Sequence, residues 1–211
     1  MAYNQFTLDE VKQRLGVTVR EEPELFARVA PVAVSALLRD YLHDAAPVAL
    51  AFSTEKARSE MIIAPILLEV RRQRKGEVSL FSGAEFSVDP ERGLAGFCDY
   101  LLSLSREQLS IEAPVVAVVE AKNENLRLGT PQCIAEMVAA RIFNERRERP
   151  LAEVYGAVTT GDVWRFLRMR GATVEVDMTA YYLRDVELIV AVLLQMVRTP
   201  VQGGGEGATT V

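Results

Sequence analysis

A chain of 211 residues, 49% apolar and 25% charged, is long enough to bury a substantial core and too apolar to remain disordered. No apolar run reaches the roughly 20 residues that span a bilayer, and the opening MAYNQFTLDEVKQRLG lacks a basic start followed by an apolar core, so a cytoplasmic protein with no membrane partner is expected. Two cysteines, one histidine and a net charge of −5 exclude a disulfide framework or zinc knuckle, leave His43 as the sole base for a histidine-dependent nucleophile, and argue against a general nucleic-acid coat.

In chain order, residues 1–50 read as a helical N-terminal extension. TLDEVKQRL opens with a cap-like Thr7 and an acidic first turn, and EEPELFARVAPVAVSALLRDYLHDA has apolar residues at helical spacing. PVALAF reads as a short strand. Ser53 or Thr54 then caps a helix through EKARSEMIIAPILLEVRRQR, which Pro65 should kink or interrupt by removing a donor. EVSLFSGAEF (77–86), GLAGFCDYLLSL (93–104) and APVVAVVEAK (113–122) are strand-like and joined by turn-rich segments, which predicts an antiparallel meander. Gly129 and Thr130 before Pro131 suggest a helix start, and Ile134, Val138 and Ile142 form one stripe of that helix. LAEVYGAVTTG, VWRFLRMRG and TVEVD read as further strands, LRDVELIVAVLLQMV as a closing helix, and 199–211 as a disordered tail. The expected fold class is α/β, a mixed sheet flanked by helices across residues 51–198.

The chemistry concentrates at the end of VVAVVEAK. A period of two puts Glu120 and Lys122 on one face with Val116 and Val118, and charges at the end of a buried strand are costly unless paired. Asp99, in the preceding strand, can converge on Glu120 across a hairpin. Two adjacent carboxylates repel, and a divalent cation relieves the repulsion. Magnesium suits one or two carboxylates plus water and acidifies a bound water, while a lysine adds a point charge. An ion-paired sheet edge accounts for Glu120 and Lys122 without a metal. The basic runs EVRRQRKGE (69–77), RIFNERRER (141–149) and WRFLRMRG (164–171) are either solvated faces or a rim around the acidic site.

With Asp99 in GFCD, Glu120-Ala121-Lys122, Gln132 on the following helix and the leading helix ARSEMIIAPILLEVR, the chain resembles the PD-(D/E)XK nuclease superfamily, whose fold is restriction-endonuclease-like. The phrase IIAPILLE is most similar to the N-terminal domain of type I restriction R subunits and to related uncharacterised bacterial and cyanobacterial proteins. The resemblance implies a magnesium-dependent nuclease, manganese being a substitute, that cuts DNA and possibly RNA. It implies that Asp99, Glu120 and the Ala121 carbonyl hold the metal, that Lys122 orients or activates the attacking water, that Glu60 is the acid of the leading helix, which helps the metal indirectly or builds a second metal position, and that Gln132 contacts the site or the substrate. Glu69 competes with Glu60 for that place. Cys98 stands where the superfamily name has proline, and Glu136 stands where exonuclease-like members have tyrosine, which favours an endonuclease. The face bearing Gln132, Glu136 and Phe143 can instead meet a partner subunit, and the apolar closing helix suggests a homodimer. A catalytically silent binding or assembly module is the alternative. The absence of GxxxxGK[ST], GxGxxG after a strand and HExxH excludes a nucleotide-driven motor.

Overall fold

A computed structural model describes residues 2–198. The tail at 199–211, expected to be disordered, lies outside the described residues. The chain forms a mixed α/β fold in which helices flank one eight-stranded sheet. The meander is present: β2 (Ser79–Glu85), β3 (Phe97–Ser103) and β4 (Val115–Ala121) pair antiparallel in sequence order. β5 (Val154–Thr159) runs parallel to β4, so the chain must cross over between them, and helix α5 (Leu126–Arg146) makes that crossing. β6 (Val163–Arg170) and β7 (Thr173–Asp177) continue antiparallel, and the two-residue β8 (Tyr181–Tyr182) joins β6. All seven residues of β4 are buried, as expected of a strand covered on both faces.

The N-terminal segment differs from expectation. Thr7 caps helix α1 (Leu8–Leu15) through a reciprocal bond with Glu10, and Gly16 ends it in the left-handed region. The next residues form an edge strand, β1 (Thr18–Glu22), parallel to β7. Two prolines, Pro23 and Pro31, interrupt the helical spacing, and no helix forms again until α2 (Ala36–Phe52), capped by Ser35. The first fifty residues therefore contribute to both cores: Val11 and Val17 on one face of the sheet, Phe26, Val34 and Leu38 on the other. PVALAF is the end of α2 and not a strand. Ala49 continues the buried series Leu38, Leu42, Ala45 and Ala46, so helical burial overrides its alternation.

Ser53 closes α2 in a left-handed conformation and Thr54 caps α3 (Glu55–Arg58). The helix then passes Pro65 without breaking. A π-helical turn at Ser59–Ile63, in which the Ala64 N–H reaches the Ser59 carbonyl, leads into α4 (Ala64–Gln73) and widens the ladder just before proline withdraws its donor. Asn125 caps α5, four residues ahead of the expected Gly129–Thr130 start. Pro131 lies a turn inside, and the Thr130 hydroxyl bonds the Leu126 carbonyl at 2.9 Å.

One core, with α1 and α5, lies on one face of the sheet, and the other, with α2, α4 and the closing helix α6 (Val186–Met196), on the opposite face. Ile134, Val138 and Ile142 are buried as expected. The apolar side of α6, which suggested a second copy, is covered within the chain, where Ile189, Val190, Leu193 and Met196 join the core that includes α4. No helix among the described residues is long and apolar enough to cross a membrane.

Glu69 ties α4 to the start of α2. It is buried, accepts from the Ser35 N–H at 3.0 Å and the Ser35 hydroxyl at 2.8 Å, and takes further bonds from Arg72 and Gln73. Burial opposes its charge, but the donors of Arg72, Gln73 and Ser35 outweigh it and hold the carboxyl down at about 2. Glu69→Ala should cost about 2 kcal/mol by stranding the Ser35 cap and the Arg72 pair. Its loss should be largest above pH 5 and shrink as pH falls toward 2, as urea denaturation across that range will measure.

Candidate metal and acid site

The site forms where the β3–β4 ladder ends. Their last pair is Tyr100 with Val119, so Asp99 and Glu120 stand opposite each other one step beyond it. Asp99 does not extend the regular alternation. Cys98 belongs to the core under α5 while Tyr100, two residues on, belongs to the other core, and Gly83, level with Asp99 on β2, has a φ of 58°. The carboxylate of Asp99 takes the Ala121 N–H at 2.8 Å in place of a ladder carbonyl. A strand residue's N–H and C=O point the same way, so the Ala121 carbonyl also faces the Asp99 side.

A bulge in β4 alters one neighbour of the site. Val115 pairs with Ser103 and Ala117 with Leu102, leaving Val116 as the extra residue. Val116 therefore packs in the core with Ala117, whereas Val118 lies on the α5 face with Glu120 and Lys122. The inserted residue reverses the alternation and overturns the expectation that Val116 shares their face.

Lys122 follows the last residue of β4, its N–H held by the Thr159 carbonyl at 2.8 Å. Its stem lies against Gly129 of α5, where a β-carbon would stand 2.6 Å from Val158 and 2.9 Å from Lys122. Glycine is thus required there by the close approach of helix to sheet. The ammonium donates to Glu120 Oε1 and, at 3.2 Å, to Gln132 Oε1, and Gln132 Nε2 donates to Glu136 Oε1 at 3.1 Å. Asp99, Glu120, Lys122 and Gln132 are therefore brought together, and Glu136 completes a closed chain with them.

Glu136 stands on the helix face expected to be free to meet a partner subunit. It is fully buried against its own sheet, Gln132 is 9% exposed, and Phe143 packs on Phe86 with ring centroids 5.2 Å apart. The spacing of Gln132 and Glu136, one helical turn, shows in the sequence; which way that face points does not. Glu55, at the start of α3, was also missed. Its charge acts on Lys122, as the opening of a helix beside the strand end permits.

Glu60 stands apart. It forms an ion pair with Lys56 at 2.8 Å, its side chain is 61% exposed, and it lines the groove between α2 and α4 with Leu37, Tyr41 and Leu68. Glu69 is the α2 anchor described above, and His43 is exposed on α2.

The electrostatics are those of crowded acids. Burial raises the Glu120 carboxyl to about 8, the charge of Asp99 adds to this, and Lys122 opposes it. Burial raises Glu136 well above the carboxylate range, with Glu120 contributing. The Glu120 and Glu136 carboxyls lie within hydrogen-bonding range of each other, so two facing acceptors need a proton or a cation. Glu136, the more enclosed and the further raised, keeps its proton to higher pH than Glu120, whose charge Lys122 favours. Burial disfavours the Lys122 ammonium, but Glu120 outweighs it and raises its pKa. Glu120 Oε2 and Glu136 Oε2 are buried and, apart from the other's carboxyl, meet no hydrogen-bond donor among the described residues. The thiols of Cys98 and Cys133 are buried and raised by burial and by Glu136, which suppresses the thiolate.

Among the described residues, no three His, Cys, Asp or Glu side chains are placed to grip one metal ion together. The donors available to a cation are two carboxylates, Asp99 and Glu120, with the Ala121 carbonyl, and the orphaned Glu120 oxygen fits such a role. That set suits magnesium, which retains several waters and takes one or two carboxylates. Neither protein-family models nor curated protein sequences give a match to this chain.

Proposed function

We propose that the protein is a magnesium-dependent nuclease, an endonuclease acting on DNA, with RNA as the second candidate substrate. The observation that carries this reading is the meeting of Asp99 and Glu120 where the β3–β4 ladder ends, with the Lys122 ammonium bonded to Glu120 and the other Glu120 oxygen given no donor but the Glu136 carboxyl. The resemblance to the PD-(D/E)XK superfamily supports it through the same residues.

Asp99, Glu120 and the Ala121 carbonyl would hold the cation. Bound there, magnesium supplies a polarised phosphate oxygen and a water acidified enough to attack. Asp99, already fixed by the Ala121 N–H, keeps its carboxylate at the strand end. Lys122, steered by Glu120 and Gln132, places a positive charge beside the reacting phosphate, where charge accumulates on the oxygens. Gln132 holds Lys122 and Glu136 together and so positions the lysine.

Supercoiled plasmid, single-stranded DNA and RNA incubated with Mg²⁺ or Mn²⁺ test this. Cleavage should appear with metal, stop with EDTA and be lost in Asp99→Asn. A wild-type protein inert on all three would overturn the proposal. One observation favours a second reading, a metal-binding or assembly module without turnover: Lys122 is already satisfied by Glu120 and Gln132. Manganese binding by calorimetry with no cleavage under any condition would select it.

A further inference from the structure

The proposed site has an arginine in line with it whose Nε no described residue satisfies. Glu120 pairs with Val158 on β5, and Val158 pairs with Arg165 on β6, so the three stand in one row across the sheet. They share a face. Val158, Leu167 and Met169 belong to the core under α5, while Trp164 and Phe166, on either side of Arg165, belong to the opposite core. The row spans two strand spacings, about 10 Å between the backbones of Glu120 and Arg165. Helix α5 packs over β4 and β5, which puts Arg165 on β6 beside the helix.

Other arginines in this part of the fold have partners: Arg168 bonds Glu175 at 2.7 Å, Arg170 bonds Glu153 at 2.6 Å and Arg58 bonds Asp162 at 2.7 Å. Arg165 is half-buried, its Nε is enclosed without a hydrogen-bond acceptor, and no carboxylate pairs with it among the described residues. A guanidinium nitrogen withdrawn from water without a partner is costly, and the planar fork matches a phosphate. Val158, against which Gly129 of α5 packs, stands between Arg165 and Glu120 in the row, so Arg165 is one strand removed from the group held by Asp99 and Glu120.

We infer that Arg165 holds a backbone phosphate of the nucleic acid other than the one being cut, on the α5 face of the sheet. This rests on the nuclease reading. A contact remote from the reacting atoms is made equally in ground and transition states, so its loss appears in KM and not in kcat.

The test compares wild type, Arg165→Ala and Arg165→Lys. Cleavage kinetics are measured with Mg²⁺, and binding of labelled DNA is measured with EDTA over a range of salt. Arg165→Ala should raise KM about tenfold with kcat unchanged and reduce the slope of log affinity against log salt by about 1, while Arg165→Lys retains the slope. An unchanged KM and slope in a wild type that cuts would overturn the inference and leave the nuclease reading standing. A fall in kcat and melting temperature with the slope unchanged would make Arg165 a packing residue and overturn it too. A wild type that neither binds nor cuts would remove both.

Discussion

Lys122→Met should give a protein that folds, loses metal-dependent cleavage by about a hundredfold or more, and becomes unstable chiefly at alkaline pH. The reason lies in what the lysine leaves behind. Glu120, 1% exposed, would face Asp99 and Glu136 with no cation beside it. Removing one partner of a buried pair typically costs about 3–5 kcal/mol. Here the cost has a ceiling, because Glu120 can take up a proton. The variant should therefore lie close to wild type at pH 5–6 and fall well below it at pH 9. Glu120→Gln combined with Lys122→Met removes the stranded charge and should restore stability without restoring cleavage. Lys122→Arg keeps the charge but adds bulk over Gly129, where helix and sheet are already in contact, so it should retain folding and only a fraction of the rate. Thermal denaturation at pH 6 and pH 9 beside a plasmid assay separates the two roles. A Lys122→Met protein that cuts at the wild-type rate would remove the lysine from the chemistry.

That the lysine, Glu120 and Asp99 meet could be read from the sequence because it depends on local regularities. The meander has turn residues at both joints, β4 is apolar up to the acid, and a period of two fixes Glu120 and Lys122 on one side. Gln132 came from the resemblance alone, as the glutamine of the helix that follows the triplet. What was not legible depended on tertiary contacts. The bulge at Val116 has no composition of its own, since every residue near it is small and apolar. The edge strand Thr18–Glu22, with the sequence TVREE, has charges suited to a solvated strand edge, and its identity depends on β7 lying beside it. PVALAF became helix because Ala49 completes a stripe begun at Leu38. Glu60, Glu69 and Glu55 cannot be ranked by spacing on their helix, because which acid turns toward the sheet depends on the π turn and on where α2 packs.

Glu136 shows the same limit in the site itself. Its separation from Gln132 is helical, but the choice between a solvent face and a core face depends on the rotation of α5 over the sheet. Gly129 sets that rotation, since only a residue without a β-carbon allows the helix to approach Val158 and Lys122 so closely. The helix then presents Gln132 and Glu136 to the end of β4, and three acids come to share one lysine.

That crowding sets the pH response of the metal-free protein. Glu120 has a folded pKa of about 8, above the value near 4.3 of an unfolded glutamate. Between those values the native state binds the extra proton, so unfolding free energy falls as pH rises. The stabilisation is complete below about pH 4.3 and is lost as pH passes through about 8, a change of a few kcal/mol for a shift of this size. Glu69 acts in the opposite direction and in a separate window. Held at about 2, it stabilises above the unfolded value and loses that contribution only as pH falls toward 2. Metal should reverse the alkaline trend, because Asp99 and Glu120 must be ionised to bind it, and binding then displaces the proton. With EDTA, urea denaturation should show stability declining from pH 5.5 to 8.5. Saturating Mn²⁺ at pH 8.5 should recover about 2–3 kcal/mol at a hundred times its dissociation constant. Calorimetry in two buffers of different ionisation enthalpy should register proton release on binding at pH 7. A stability profile flat from pH 5.5 to 8.5 and indifferent to manganese would mean that Glu120 is neutralised by Lys122 alone, and the strand end would then be an ion pair and not a metal site.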